Sequence, residues 1–254
     1  MIVATRVSSH VDVARVAAAR GLPSLVEKPP ARGAAEAEEL AALRPAPAIG
    51  FNRRFEPELA VIRDALPLDR ALDISLRFDV RQAAWASHDA PDHVLLDLGP
   101  HLVDLVCWLT RTSIARVRGE VSEQRARVEL ELAGGRGRGR IACASNRPYV
   151  ETMEITAGGT RIARRREGGL VRNALAIVRA APSPLVASLA SQLEAFGAAV
   201  RGAAPPELAR AADGVAALAA VDAAYASAEA GSAWMDVPKA ATVRECSPSS
   251  SSTP

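Results

Sequence analysis

The run LLDLGPHLVDLVCWL, Leu95 to Leu109, sets Asp97 and His101 four residues apart and adds Asp104, all within otherwise apolar sequence. Residues four apart are neighbours on one helix face. Asp97 and His101 therefore form a candidate acid–base pair, with an imidazole that titrates near neutral pH. A purely structural reading competes with this. Asp97 would sit near a helix N-terminus with Gly99 and Pro100 in the first turn, and His101 would be a satisfied core histidine. The run alone leaves both open, so the choice depends on what the rest of the chain brings to this helix.

The elements around it fall into two patterns. IVAT (Ile2 to Thr5), SLVEKP (Ser24 to Pro29) and APAIGF (Ala46 to Phe51) are short apolar runs without alternation, as expected of strands covered on both faces. Between them lie two helical stretches. VDVARVAAAR has Ser8 and Ser9 as capping candidates and Gly21 as its stop, and AAEAEELAAL follows. Strand and helix alternating with short loops predicts parallel βαβ units. After a helix over FEPELAVIRDAL the period changes to two. ALDISLRFDV, parts of ARVRGEVSEQRARVELEL, GRIACAS and YVETMEITA alternate, with turns at Gly134–Gly135 and Gly158–Gly159. That predicts an antiparallel meander with one wet face. Helices are expected over Leu185 to Val200 and Pro206 to Ala230, then a closing strand in AWMDVP. The fold class is thus α/β plus α+β: a parallel sheet over residues 1–52, which a family resemblance carried by four sequence blocks implies is a partial Rossmann sheet, a mostly antiparallel domain over 53–238, and a disordered polar tail over 239–254.

Composition narrows the function. The 254 residues carry a net charge of +2, too balanced to imply nucleic acid or an anionic membrane as partner. The arginine clusters GGRGRGR and RIARRR lie at predicted hairpins without interleaved aromatics. They read as solvated strand edges protected by charge. Cys107, Cys143 and Cys246 are far apart and have no CxxC spacing, so neither a disulfide framework nor a zinc site is indicated. No apolar run approaches the ~18 residues of a membrane span, and the N-terminus does not have the pattern of a signal peptide. A cytoplasmic protein is the default expectation.

Four blocks then resemble one family in the right order. They are VATRVSSHVDVARVAAARGLPSLVEKPPA (Thr5, His10, Gly21, Glu27–Lys28–Pro29), GFNRRFEP, LLDLGPHLVD, and AADGVAALAAVDAAYASAEAGSAWMDVP. Together they resemble the glucose–fructose oxidoreductase/inositol dehydrogenase/MocA family. Arg6 and Val7 depart from the family's usual proline and asparagine. The resemblance implies hydride transfer between nicotinamide C4 and a secondary alcohol. It implies Lys28, Asp97 and His101 as catalytic residues meeting at the nicotinamide. His101 would take the alcohol proton, Lys28 would stabilise the developing alkoxide, and Asp97 would hold His101 or the substrate in register. It implies Thr5, Glu27, Lys28, Asn52 and Arg54 facing NAD or NADP, a small-molecule substrate, no metal, and a homo-oligomer through the antiparallel sheet. Asp104 reads as structural. The resemblance also implies a cis Lys28–Pro29 bond and a site at the C-terminal ends of the parallel strands.

Two departures accompany the match. DAPDHVLLD stands where the family has a glycine-rich approach to its D-x-G-x-H motif. The family's G-x-G-x-x-G turn, which cradles the pyrophosphate, has no counterpart here, and GRGRG precedes a period-2 strand instead of a helix. Either a start codon lies upstream of Met1, or a partner covers the first strand, or the protein is a relic. The leading reading is an NAD(P)-dependent dehydrogenase of a sugar, polyol or related hydroxy compound, with cofactor binding weakened or lost in this chain. The alternatives are a non-catalytic dimerisation or interaction protein and a redox-independent lyase or hydrolase.

Overall fold

In a computed structural model, residues 1–67, 69–81, 93–167 and 184–239 are described. The expectations for DAPDHVLLD before His93, and for the tail beyond residue 239, lie outside them. The three apolar runs pair as parallel strands β1 (Ile2–Val3), β2 (Leu25–Val26) and β3 (Ala48–Ile49), in register Ile2↔Leu25 and Leu25↔Ala48. Helices α1 (His10–Ala19) and α2 (Ala34–Ala42) connect them. Gly21, at φ +66°, turns the chain after α1. The expected Ser9 cap is not made. A short 3-10 turn over Val7–Ser9 leads into α1, and Ser9 turns its hydroxyl back to donate to the Arg6 carbonyl at 2.9 Å.

Helix α3 (Pro57–Ala65) leads to β4 (Leu72–Arg81), and α4 (Val94–Thr110) carries the Asp97–His101 run. Strands β5 (Ile114–Val121), β6 (Arg125–Leu132), β7 (Gly137–Ala144), β8 (Asn146–Ala157) and β9 (Thr160–Glu167) follow. The chain continues with α5 (Pro184–Val200), β10 (Ala209–Arg210), α6 (Ala211–Glu229) and β11 (Met235–Asp236). The larger sheet has the order β11-β5-β6-β7-β4-β8-β9.

Two details depart from a simple meander. After the α4 crossover the β5–β6–β7 hairpins bring β7 alongside β4 in parallel, Leu72↔Gly137 to Asp79↔Ala144, while β8 flanks β4 antiparallel. The helix expected from Pro206 starts at Ala211, because Ala209 and Arg210 find ladder partners on β3. Asp213 then accepts the Arg210 N–H at 2.7 Å and caps the helix there. Strand β10 makes the first sheet four-stranded, β1-β2-β3-β10.

The arginine clusters also gain a structural role. Gly137, at φ +121°, lies so close to Leu72 that an added Cβ would fall 1.9 Å from its carbonyl oxygen, and from Gly137 onward the cluster is a strand paired with β4, after a 3-10 turn over Ala133–Gly135. In β9 the expected solvated edge is only half right. Arg164 and Arg166 turn inward to Glu56, at 2.5 and 2.7 Å, while Arg161 and Arg165 face outward. One core runs through both sheets. Leu95, Leu98, Leu102 and Leu109 of α4 join Ile74, Leu130 and Ile155 of the large sheet and Leu218 of α6.

Candidate active site

Helix α4 begins at Val94, earlier than its Gly-Pro pair suggested, so Pro100 lies inside it and Asp97 in its first turn. Asp97 and His101 are buried, at 8% and 7% exposure. Lys28 follows β2 at the C-terminal end of the parallel sheet, across a cis Lys28–Pro29 bond from Pro29. Its ammonium donates to the Asp97 carboxylate at 2.8 Å and to the Asp97 carbonyl at 3.3 Å. Asp97 therefore engages Lys28, not His101, among the described residues. The neighbouring Glu27 carboxylate accepts the Lys28 N–H at 3.2 Å. Gly50 makes room for it, since a Cβ there would lie 3.0 Å from that carboxylate.

The His101 ring packs tilted against Phe51, centroids 5.9 Å apart, and its Nδ1 is buried with no hydrogen-bond partner among the described residues. Burial, then the Lys28 ammonium and the Arg53 guanidinium, hold this imidazole well below its ordinary range. The ring is neutral at physiological pH and offers a lone pair. A buried ring nitrogen with no partner is costly in a finished core.

The remaining expected residues divide. Thr5 is exposed just past β1, and Glu27 is half-buried past β2. Asn52, past β3, is buried and donates to Ser188 on α5 at 2.9 Å. Arg54, expected at the cofactor, is instead a buried strut. Its guanidinium grips Asp104 at 3.0 and 2.5 Å and reaches Asp213 at 3.4 Å. The two ions respond differently to this pairing. Two carboxylates hold Arg54 firmly charged, whereas burial pushes the Asp104 carboxyl up to about 6 against Arg54's pull. Both are charged at neutral pH.

Several contributors escaped the sequence reading. Phe51 walls His101. Arg53 is buried between Glu56 and Glu151 and acts on His101 through its charge. Gln192 of α5 lies against the 49–52 turn; with its amide turned, the oxygen accepts from the Phe51 and Asn52 N–H groups at 3.2 Å. The adjacent arginines of NRRF were a visible signal, while Gln192 had none.

No protein-family model matches the chain. Among curated proteins it is 33% identical over 118 residues to the rhizopine catabolism protein MocA of Rhizobium meliloti, covering 43% of this chain and 37% of that one. It is 30% identical over 142 residues to inositol 2-dehydrogenase 1 of Saccharopolyspora erythraea, covering 54% and 42%. The matches thus span about two fifths of these relatives' lengths. Among solved structures, GenD2 from gentamicin A biosynthesis in complex with NAD superposes with a TM-score of 0.75 at 20% identity, over 93% of this chain and 78% of that one. Levoglucosan dehydrogenase in complex with NADH gives 0.73 at 19% identity, over 94% and 79%. No helix among the described residues is long and apolar enough to cross a membrane. The fold, the ordered sequence blocks and these relatives agree in what the chain is similar to: oxidoreductases of the glucose–fructose oxidoreductase/inositol dehydrogenase/MocA family.

Proposed function

We propose that the protein is an NAD- or NADP-dependent dehydrogenase acting on the CH–OH group of a sugar, polyol or related hydroxy compound. The observation that carries this is the meeting of the Lys28 ammonium, the Asp97 carboxylate and the His101 ring, whose buried Nδ1 has no partner among the described residues, beside the ends of the parallel strands. These residues fit the nicotinamide end of such a cofactor, with Thr5, Glu27 and Asn52 at the ends of the same strands. A nicotinamide bound there supplies an acceptor for hydride at its C4.

The chain's own side chains do the rest. Neutral His101 takes the alcohol proton as the carbinol C–H pair leaves and the carbonyl forms. Lys28 donates to the same oxygen and offsets its developing negative charge. Asp97 fixes Lys28 in place. In this reading two copies associate through the outer face of the larger sheet. That face presents exposed side chains from β5 to β9, and sedimentation tests it.

The 254 residues contain no G-x-G-x-x-G. Assayed as this polypeptide, the cofactor contacts are those of the nicotinamide half. Lost contacts worth about 4 kcal/mol would move a micromolar site to about millimolar. The test is NAD(P)H formation from a panel of polyols and sugars at millimolar cofactor, with NADH fluorescence for affinity. Turnover that disappears in Lys28→Met supports the reading. Absence of turnover across the panel, with cofactor binding indifferent to Lys28→Met, sinks it. Micromolar NAD(P)H binding by the 254-residue chain would overturn the affinity argument.

A further inference from the structure

His10 opens α1 and is 2% exposed, yet it has no part in the chemistry proposed above. Its Nδ1 lies 3.0 Å from the Pro29 carbonyl oxygen and its Nε2 lies 3.0 Å from the Thr5 carbonyl oxygen. One ring therefore bridges the segments that leave β1 and β2, which carry Thr5 and Lys28. Both neighbours are acceptors, so each bond needs an N–H; a ring with one N–H makes one of them, and the tautomer with its N–H on Nδ1 makes the bond to Pro29. Lys28 is then held from two sides: its own N–H donates to Glu27, and the next residue's carbonyl is tied to His10.

We propose that His10 is a positioning residue, whose Nδ1 bond to Pro29 sets the direction in which Lys28 projects its ammonium toward Asp97. The proposal rests on the dehydrogenase reading for its kinetic consequence, but its structural consequence is independent of that reading. It also separates the two ring contacts. The Pro29 contact acts on Lys28, whereas the Thr5 contact acts on the neighbouring segment.

Two features of the chain make a direct test practical. Lys28 and Lys239 are the only lysines in the sequence, so protein labelled with carbon-13 at lysine Cε gives two side-chain signals. Lys239 is exposed and supplies the reference for a solvent-facing ammonium. Asp97→Asn first establishes which signal reports the ion pair. His10→Phe then removes both nitrogens, His10→Asn places an amide near the Nδ1 position, and His10→Gln places one near the Nε2 position.

In folded protein, His10→Phe and His10→Gln are expected to move the Lys28 signal toward that of Lys239, and His10→Asn to leave it near the wild-type position. Where the wild type turns over, kcat should fall at least about tenfold in the first two, with KM changed less than about threefold, and recover in His10→Asn. An unmoved Lys28 signal in His10→Phe overturns the proposal. So does identical behaviour of the Asn and Gln variants, or unfolding of all three, which would make His10 an ordinary core residue. Wild-type protein without turnover and with cofactor binding indifferent to Lys28→Met, but with the expected order of signals, would refute the dehydrogenase reading and leave the positioning role standing.

Discussion

Replacing Arg54 by methionine separates a structural strut from a cofactor ligand. Arg54 is 6% exposed and Asp104 3%. The pair makes two charge-assisted hydrogen bonds, and among the described residues Asp213 is the other carboxylate at the guanidinium, at 3.4 Å. Removing one partner of such a buried pair costs about 3–5 kcal/mol, mostly by stranding the other ion. In Arg54→Met the stranded ion is Asp104, which has an escape because it can take a proton.

The sign follows from its pKa. In the wild type Asp104 titrates at about 6 when folded, above the ~3.9 of an unfolded aspartate. Its contribution to stability is therefore fully present below the unfolded value and is lost as pH rises through about 6. Between pH 8 and pH 5 this group stabilises the wild type by about 1.4 kcal/mol, one unit of titration. Without Arg54 the folded value rises further, so Arg54→Met gains more over the same interval.

The expected result in urea unfolding is a loss of about 3 kcal/mol at pH 8 that narrows by at least about 1 kcal/mol at pH 5. The double variant Arg54→Met/Asp104→Leu should return to within about 1 kcal/mol of wild type, because a buried ion pair is often replaceable by packed apolar groups. An unchanged urea midpoint in Arg54→Met, with a raised KM for NAD(P), would refute the strut and restore Arg54 to the cofactor site.

The other predictions concern the cleft. Lys28→Arg should fold and keep its bond to Asp97, yet lose about 100-fold or more in kcat, measured beside its urea midpoint; turnover within tenfold of wild type contradicts the role given to Lys28. His101→Asn should lower kcat by about 10²–10⁴-fold. Because the wild-type imidazole lies well below its usual range, kcat/KM of the wild type should show no acid limb near pH 6.5, and a limb centred there would contradict the burial argument. The same shift gives a stability slope opposite to that of Asp104. Depressed in the fold, His101 contributes stability that is present above about 6.5 and lost as pH falls toward its folded value. The difference in Tm between wild type and His101→Asn should therefore change with pH below 6.5, and a constant difference would mean that the ring is not held neutral.

The elements that carry the site were legible because their signals are local. Unalternating apolar runs marked β1 to β3, period-2 runs marked β4 to β8, and the Asp97–His101 spacing marked one face of α4. Non-local facts were not legible. Nothing in ALDISLRFDV says that β4 will have β7 as a parallel neighbour, since that depends on how α4 and two hairpins return the chain. PPELAR has no period, so β10 was read as the start of a helix. RIARRR showed its charge but not which arginines would find Glu56. Arg54 was assigned to the cofactor by its place in a motif, and its partner Asp104 lies 50 residues away on another helix. The roles of His10 and Gln192 depend on backbone carbonyls and amides from distant segments, which a sequence does not display.

One compositional fact bears on the chemistry more than its small number suggests. Of the 31 cationic side chains, only Lys28 and Lys239 are lysines. Among the described residues, the cations set among interior carboxylates at Arg53, Arg54, Arg164 and Arg166 are planar guanidinium groups: Arg54 grips Asp104 with two donors, and the other three each bridge different carboxylates. Lys28 also faces a carboxylate, so ion pairing alone would be served by another arginine. An ammonium differs in having three donors on a single atom. Two of them account for the Asp97 carboxylate and carbonyl. The third can meet an oxygen that changes from hydroxyl to carbonyl at one point in space. A guanidinium engaged with Asp97 spreads its remaining donors over a fixed plane instead. The lysine at position 28 thus matches a requirement of the proposed alcohol chemistry that the structural ion pairs elsewhere in the chain do not share.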